Sequence, residues 1–156
     1  MAEAAFRKRT RGGAMALAAA TIARLEAAPS WTYQAFFRLG LAFLFGYSGW
    51  NKLSRWDNTL TLFGDFYQVP LLPPEMAAVL ATAVEVTVPL LFLLGLATRI
   101  AALATVGMTV VIQLFVIPEA YHVHALWLGP ILYLLLRGPG VLSIDHLIRR
   151  RYLEAG

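Results

Sequence analysis

The sequence predicts an all-α integral membrane protein, a four-helix bundle with amphipathic surface helices at one or both termini. Three observations lead there. Hydrophobic residues make up 59% of the 156 positions and charged residues only 14%, a balance too apolar for an ordinary soluble domain. Four apolar runs are long enough, or nearly so, to cross a bilayer. The basic residues crowd into the stretches flanking those runs, which is how loops meet anionic lipid. The length leaves room for one compact domain. A pI of 9.8 comes from those flanking clusters, so lipid headgroups are the expected anionic partner and nucleic acid is not. The chain has no cysteine, which excludes disulfides, thiolate zinc sites, iron–sulfur clusters and dithiol exchange.

Residues 1–30 form a basic extension. Phe6–Gly13 is basic and Ala14–Ala23 mildly apolar, as in a signal peptide, but the cleavage context is poor and Arg24 and Glu26 follow at once. A cytoplasmic surface helix is the expectation. The four-span domain covers 31–140, with spans at about 33–52, 76–97, 99–117 and 121–137. The first is interrupted by Arg38, the third stops at Pro118, and the fourth is short and carries Gly129-Pro130. Between the first two lies Leu53–Glu75, long for a helix connection. Its aromatics Trp56, Phe63, Phe66 and Tyr67 suit an interface and its prolines stop a helix, so a half-buried cap over the bundle mouth is expected. The tail 141–156 reads as a basic amphipathic helix capped by Ser143, with Ile144, Leu147 and Ile148 toward lipid and arginines toward headgroups.

Orientation follows from Lys and Arg. With four spans both termini share a side, and that side holds ten of them: Arg7, Lys8, Arg9, Arg11, Arg24, Arg99, Arg137, Arg149, Arg150 and Arg151. The other side holds Lys52 and Arg55. The positive-inside rule therefore predicts cytoplasmic termini and a cell inner-membrane location.

Glu85 is the only charge in Met76–Leu96. A carboxylate at that depth costs at least about 2.5–3.5 kcal/mol, and its short stem cannot snorkel, so it must find a partner or a proton. Counting about 1.5 Å per residue puts Glu85, Gln113 and Tyr47 at one level, with Lys52 above them and Arg38 below. Hydrogen bonds from Gln113 and Tyr47, or a charge pair with Lys52, would hold the carboxyl group. Three roles fit that cluster: glue between helices, a ligand or quinone pocket, and proton handling. Arg38 reads as a residue snorkelling to the interface rather than as a partner of Glu85. Small residues Gly40, Gly46 and Gly49 would permit close helix contact.

Glu119, His122 and His124 form E-x-x-H-x-H, the one candidate metal set, though H-x-H in a loop needs further ligands. The same residues beside Tyr121 and Trp127 also suit an interface, and a resident metal is not expected. No histidine lies at mid-depth for a membrane haem, and no phosphate loop, dinucleotide fingerprint or Ser-His-Asp arrangement occurs. Gly138-Pro139-Gly140 reads as a helix stop.

Several local patterns stand in one order. Arg38-Leu-Gly40 precedes Gly49-x-x-Lys52, followed by an aromatic loop to Val69-Pro70 and Ala81-x-x-x-Glu85. Gly95-Leu-Ala-Thr-Arg99-Ile and Gly138-Pro-Gly-Val-Leu-Ser-Ile-Asp145 complete the series. Across about 36–145 the chain resembles the DoxX family of small four-helix membrane proteins. The resemblance implies association with membrane redox systems, and it makes Arg38, Lys52, Glu85 and Arg99 the pattern positions. The expected function is a non-catalytic membrane subunit or partner of a redox enzyme. A quinone- or lipid-binding redox subunit with its pocket at Glu85, and a small metal-handling or transport protein, are the alternatives. Quinone is the cofactor this level would admit.

Overall fold

The computed structural model describes residues 2–67 and 69–152, which are helices joined by short turns, with no strand among them. The helices are α1 (Ala2–Glu26), α2 (Ser30–Ser54), α3 (Trp56–Thr61), α4 (Pro74–Leu94), α5 (Thr98–Val111), α6 (Tyr121–Arg137) and α7 (Ile144–Tyr152). Side chains of 2–12 and 14, including the basic cluster at Arg7, Lys8, Arg9 and Arg11, lie outside the described residues, as do 153–156.

Local chemistry sets the helix limits. Pro73 and Pro74 open α4, where a missing N–H costs nothing. Gly95 closes it in the left-handed conformation (φ 62°), and the Leu96 N–H returns to the Leu91 carbonyl at 3.0 Å. Beyond Val111 the chain widens into a π turn, Ile112–Val116, closed by the Ile117 N–H on the Ile112 carbonyl at 2.9 Å. Pro118 then forbids helix, and a single 3₁₀ turn leads into α6. Ser143 caps α7 by accepting from the His146 N–H at 3.2 Å.

α2 packs against α4 and α6, and α5 against the same two, so these four helices close on one another. Each contributes to one apolar core: Leu41 and Phe45, Val88 and Phe92, Ala101 and Ala102, Ile131 and Leu134. The face that α5 turns inward is made of small residues, Ala101, Ala102, Thr105 and Thr109, which lets backbones approach. Phe36, Phe43, Leu103 and Leu126 face outward, uncovered by protein, as lipid-facing residues would be. Two helical stretches, Pro74–Leu94 and Thr98–Val116, are long and apolar enough to cross a membrane. α2 carries Arg38 and Lys52, and α6 has 17 residues.

The connection after α2 folds over the Lys52 end of the bundle. There α3 runs into a second π turn, Leu62–Phe66, and Phe63 packs on Ala77 and Ala78 of α4. From Met15 to Glu26 every residue of α1 is exposed, so that stretch takes no part in the core.

Candidate functional site

Glu85 projects from the inner face of α4 and is 4% exposed. Its Oε2 receives the Lys52 ammonium at 2.6 Å, and the same Nζ donates to Ser48 Oγ at 2.9 Å. The pair forms because α2 and α4 come unusually close. A methyl group on Gly49 would lie 2.7 Å from the Glu85 carbonyl oxygen, so only glycine admits this contact. Pro89 explains what Gly49 touches: it has no N–H for the carbonyl four residues back, which is that of Glu85. One turn earlier in α2, Gly46 faces the Pro89 ring. With the helices locked at this spacing, Lys52 reaches over the carboxylate from the last turn of α2. Thr59 of the cap holds the same turn by donating to the Lys52 carbonyl at 3.0 Å.

One group beside the pair is unsatisfied. Thr82, nearly a turn from Glu85 on the same buried face, has a buried hydroxyl with no partner. Thr105 and Thr109 instead donate to carbonyls four residues back, at 2.7 and 2.8 Å. At the cap itself a cavity of about 390 Å³ is lined by Phe63, Gly64, Tyr67 and Pro70.

Gln113 and Tyr47 do not join Glu85. Gln113 lies in the π turn after α5, where its Nε2 donates to the Pro118 carbonyl and its Oε1 meets His124 Nδ1, both at 2.7 Å. Tyr47 is 65% exposed on the outside of α2. Depth along the helices is only one coordinate, and the direction a side chain faces is another. Tyr47 is two residues from the inward Phe45, a rotation of about 200°. The signal that locates it was available in the phase of Arg38, Leu41, Ala42, Phe45 and Gly49, which marks the buried stripe.

Arg38 neither snorkels nor approaches Glu85. It is buried at the opposite end, where its guanidinium donates to the carbonyls of Phe92 (2.7 Å), Leu93 (2.8 Å), Leu142 (2.5 Å) and Pro139 (3.3 Å). Those are last-turn carbonyls of α4, of which Phe92 also accepts from the Gly95 N–H at 3.2 Å, and turn carbonyls after α6. Asp145 completes this knot by accepting from the Ala97 and Thr98 N–H groups at 2.7 and 2.9 Å, a cap for α5 supplied from α7. Gln34, unmarked in the sequence reading, is buried beside Gly140 and donates to the Gly138 carbonyl at 3.4 Å. Arg99 stays exposed, with one contact to the Leu136 carbonyl at 3.4 Å. These local patterns thus sort into two ends, Arg38, Gly95–Arg99 and Gly138–Asp145 at one, and Gly49, Lys52 and Glu85 at the other.

Glu119 and His122 are exposed while His124 turns inward, so the candidate metal set is not brought together. Among the described residues no three His, Cys, Asp or Glu side chains converge on a point that could hold a metal.

A family model described as DoxX matches residues 33–118, more than half of the chain. No curated protein and no solved structure matches it.

Proposed function

The chain belongs to the DoxX family, and from that premise we propose a multi-pass inner-membrane subunit that serves a redox enzyme without catalysing a reaction itself. In this reading α2, α4, α5 and α6 cross the bilayer. Both termini lie in the cytoplasm, and the arginines of α7 and of the N-terminal extension meet anionic headgroups. The redox association comes from the family resemblance. The non-catalytic reading rests on the Lys52–Glu85 pair, in which the buried carboxylate of α4 is already charge-paired within the chain at 2.6 Å. A charge satisfied this way joins α2 to α4 and leaves the outer apolar faces for lipid and a partner.

The experiment is affinity purification of the full chain from its native membrane in mild detergent, with mass spectrometry of what accompanies it. A stoichiometric redox enzyme is expected, and loss of the chain should lower that enzyme's membrane-bound activity. A chain that purifies alone, with membrane redox activity unchanged by its deletion, overturns the proposal.

The unpartnered Thr82 hydroxyl beside Glu85 favours a second reading, a headgroup pocket for quinone or lipid at that level. Lipid extracts of the purified protein would then contain quinone in stoichiometric amount, and Glu85→Gln would lose it while the fold persists. Absence of quinone from wild-type extracts, with Glu85→Gln leaving partner activity intact, removes this reading.

A further inference from the structure

Arg99 and Arg137 meet at one end of the α5–α6 seam. Arg99 is the second residue of α5 and Arg137 the last of α6, and these two helices pack on each other. Arg99 Nη2 lies 3.4 Å from the Leu136 carbonyl, and its Nε and Nη2 would each be 3.8 Å from a methyl group on Gly138. Leu136 and Gly138 flank Arg137, so the two basic residues adjoin, and both are exposed. Arg38 shows what a guanidinium does when protein satisfies it, donating to four carbonyls. Arg99 has one long contact and Arg137 none, and neither forms an ion pair among the described residues. The neighbouring carboxylate, Asp145, is committed to the Ala97 and Thr98 N–H groups. Two uncompensated cations side by side repel, and an anion held between them turns that repulsion into attraction.

Both residues stand where an apolar run ends. Thr98–Val116 is long and apolar enough to cross a membrane, and Arg99 lies in its first turn. On the same two helices Ile100, Leu103, Leu132 and Leu136 are exposed. A ligand that fits carries one negative group at the basic end and hydrocarbon along the leucines. We propose that Arg99 and Arg137 hold the phosphodiester of a single anionic glycerophospholipid, whose acyl chains lie along the outer α5–α6 seam. The planar fork of arginine matches two phosphate oxygens at once. A zwitterionic lipid offers the same phosphodiester but brings an ammonium beside two guanidiniums, so the site selects a headgroup without a cation. It is a discrete site on the bundle, apart from the basic tail of α7 and from the Lys52–Glu85 pair at the other end. It rests on the reading in which α5 and α6 cross the bilayer, and on nothing about a redox partner.

The test titrates the full chain in neutral detergent with dioleoylphosphatidylglycerol and with dioleoylphosphatidylcholine, read by native mass spectrometry. One phosphatidylglycerol per chain is expected to stay bound, at least about tenfold more tightly than phosphatidylcholine. Arg99→Gln/Arg137→Gln should cut that preference to less than about twofold. Arg149→Gln/Arg150→Gln/Arg151→Gln, which neutralises the tail, should keep it. Soluble glycerophosphate should not displace the lipid, because it has no acyl chains to bury. Equal binding of the two lipids to the wild-type protein overturns the proposal, and decides it even where a variant fails to fold. So does a preference that survives Arg99→Gln/Arg137→Gln, one that is lost with the tail arginines, or displacement by glycerophosphate. Insertion into phosphatidylcholine vesicles, read by resistance to alkaline extraction, separates the two readings. A chain that does not insert overturns the spanning reading and the site with it, whereas insertion without lipid preference overturns the site alone.

Discussion

Removing Lys52 should cost more than removing Glu85, and removing both should cost least. Lys52→Met leaves a carboxylate, 5% exposed in its side chain, with no cation. An unpaired charge at membrane depth costs at least about 2.5–3.5 kcal/mol, and breaking a buried pair about 3–5, so a loss of about 3 kcal/mol is expected. Glu85→Leu strands an ammonium instead, but Lys52 is 17% exposed and lies in the last turn of α2, so its stem can carry the charge outward. That loss should stay near the value of one charged hydrogen bond, about 1.5 kcal/mol. In Lys52→Met/Glu85→Leu neither charge remains, and stability should return to within about 1 kcal/mol of wild type. The assay is reversible unfolding in mixed micelles, followed by circular dichroism for all four proteins. Strictly additive losses would refute the reasoning, because additivity means the two groups do not interact. So would a Glu85→Leu loss larger than that of Lys52→Met.

The remaining expectations use the same unfolding assay unless stated. Gly49→Ala drives a methyl group to 2.7 Å from the Glu85 carbonyl and should cost about 1–3 kcal/mol. Gly40→Ala meets nothing within 4 Å and should stabilise α2 by about 0.5–1 kcal/mol. Arg38→Lys keeps the charge but loses the planar fork that reaches four carbonyls, so a loss of about 2 kcal/mol is expected. Asp145→Asn puts an amide NH₂ against one of two backbone N–H groups and should cost about 1–2 kcal/mol. Faster amide exchange at Ala97 and Thr98 would locate that loss. Tyr47→Leu, on the outer face, should change stability by less than about 0.5 kcal/mol.

The sequence by itself determined the helical class, several of the helix stops and the expensive charge. Apolar runs, prolines at 73, 74 and 118, and glycine at 95 act on the chain within a turn or two, so each is legible without knowing the fold. The need of Glu85 for a partner was legible for the same reason, since depth in an apolar run follows from counting residues. Lys52 could be named because one cation of suitable reach lay at the right end.

Tertiary structure alone decided which groups share a helix face and which helix faces which. A one-residue step turns a side chain by about 100°, so residues placed at one level by counting, Tyr47 and Gln113, point away from Glu85. Gln113 meets His124 of α6 from the π turn that follows α5. Arg38 and Asp145 were visible as pattern positions, but their task was not, because the carbonyls and N–H groups they satisfy come from segments about 50 to 100 residues away. Orphaned backbone groups at helix ends exist in every helical chain, and only packing determines which distant side chain meets them. Glu85 announced its cost in the sequence; Gly49, Pro89 and the close approach of α2 to α4 decided how that cost is met.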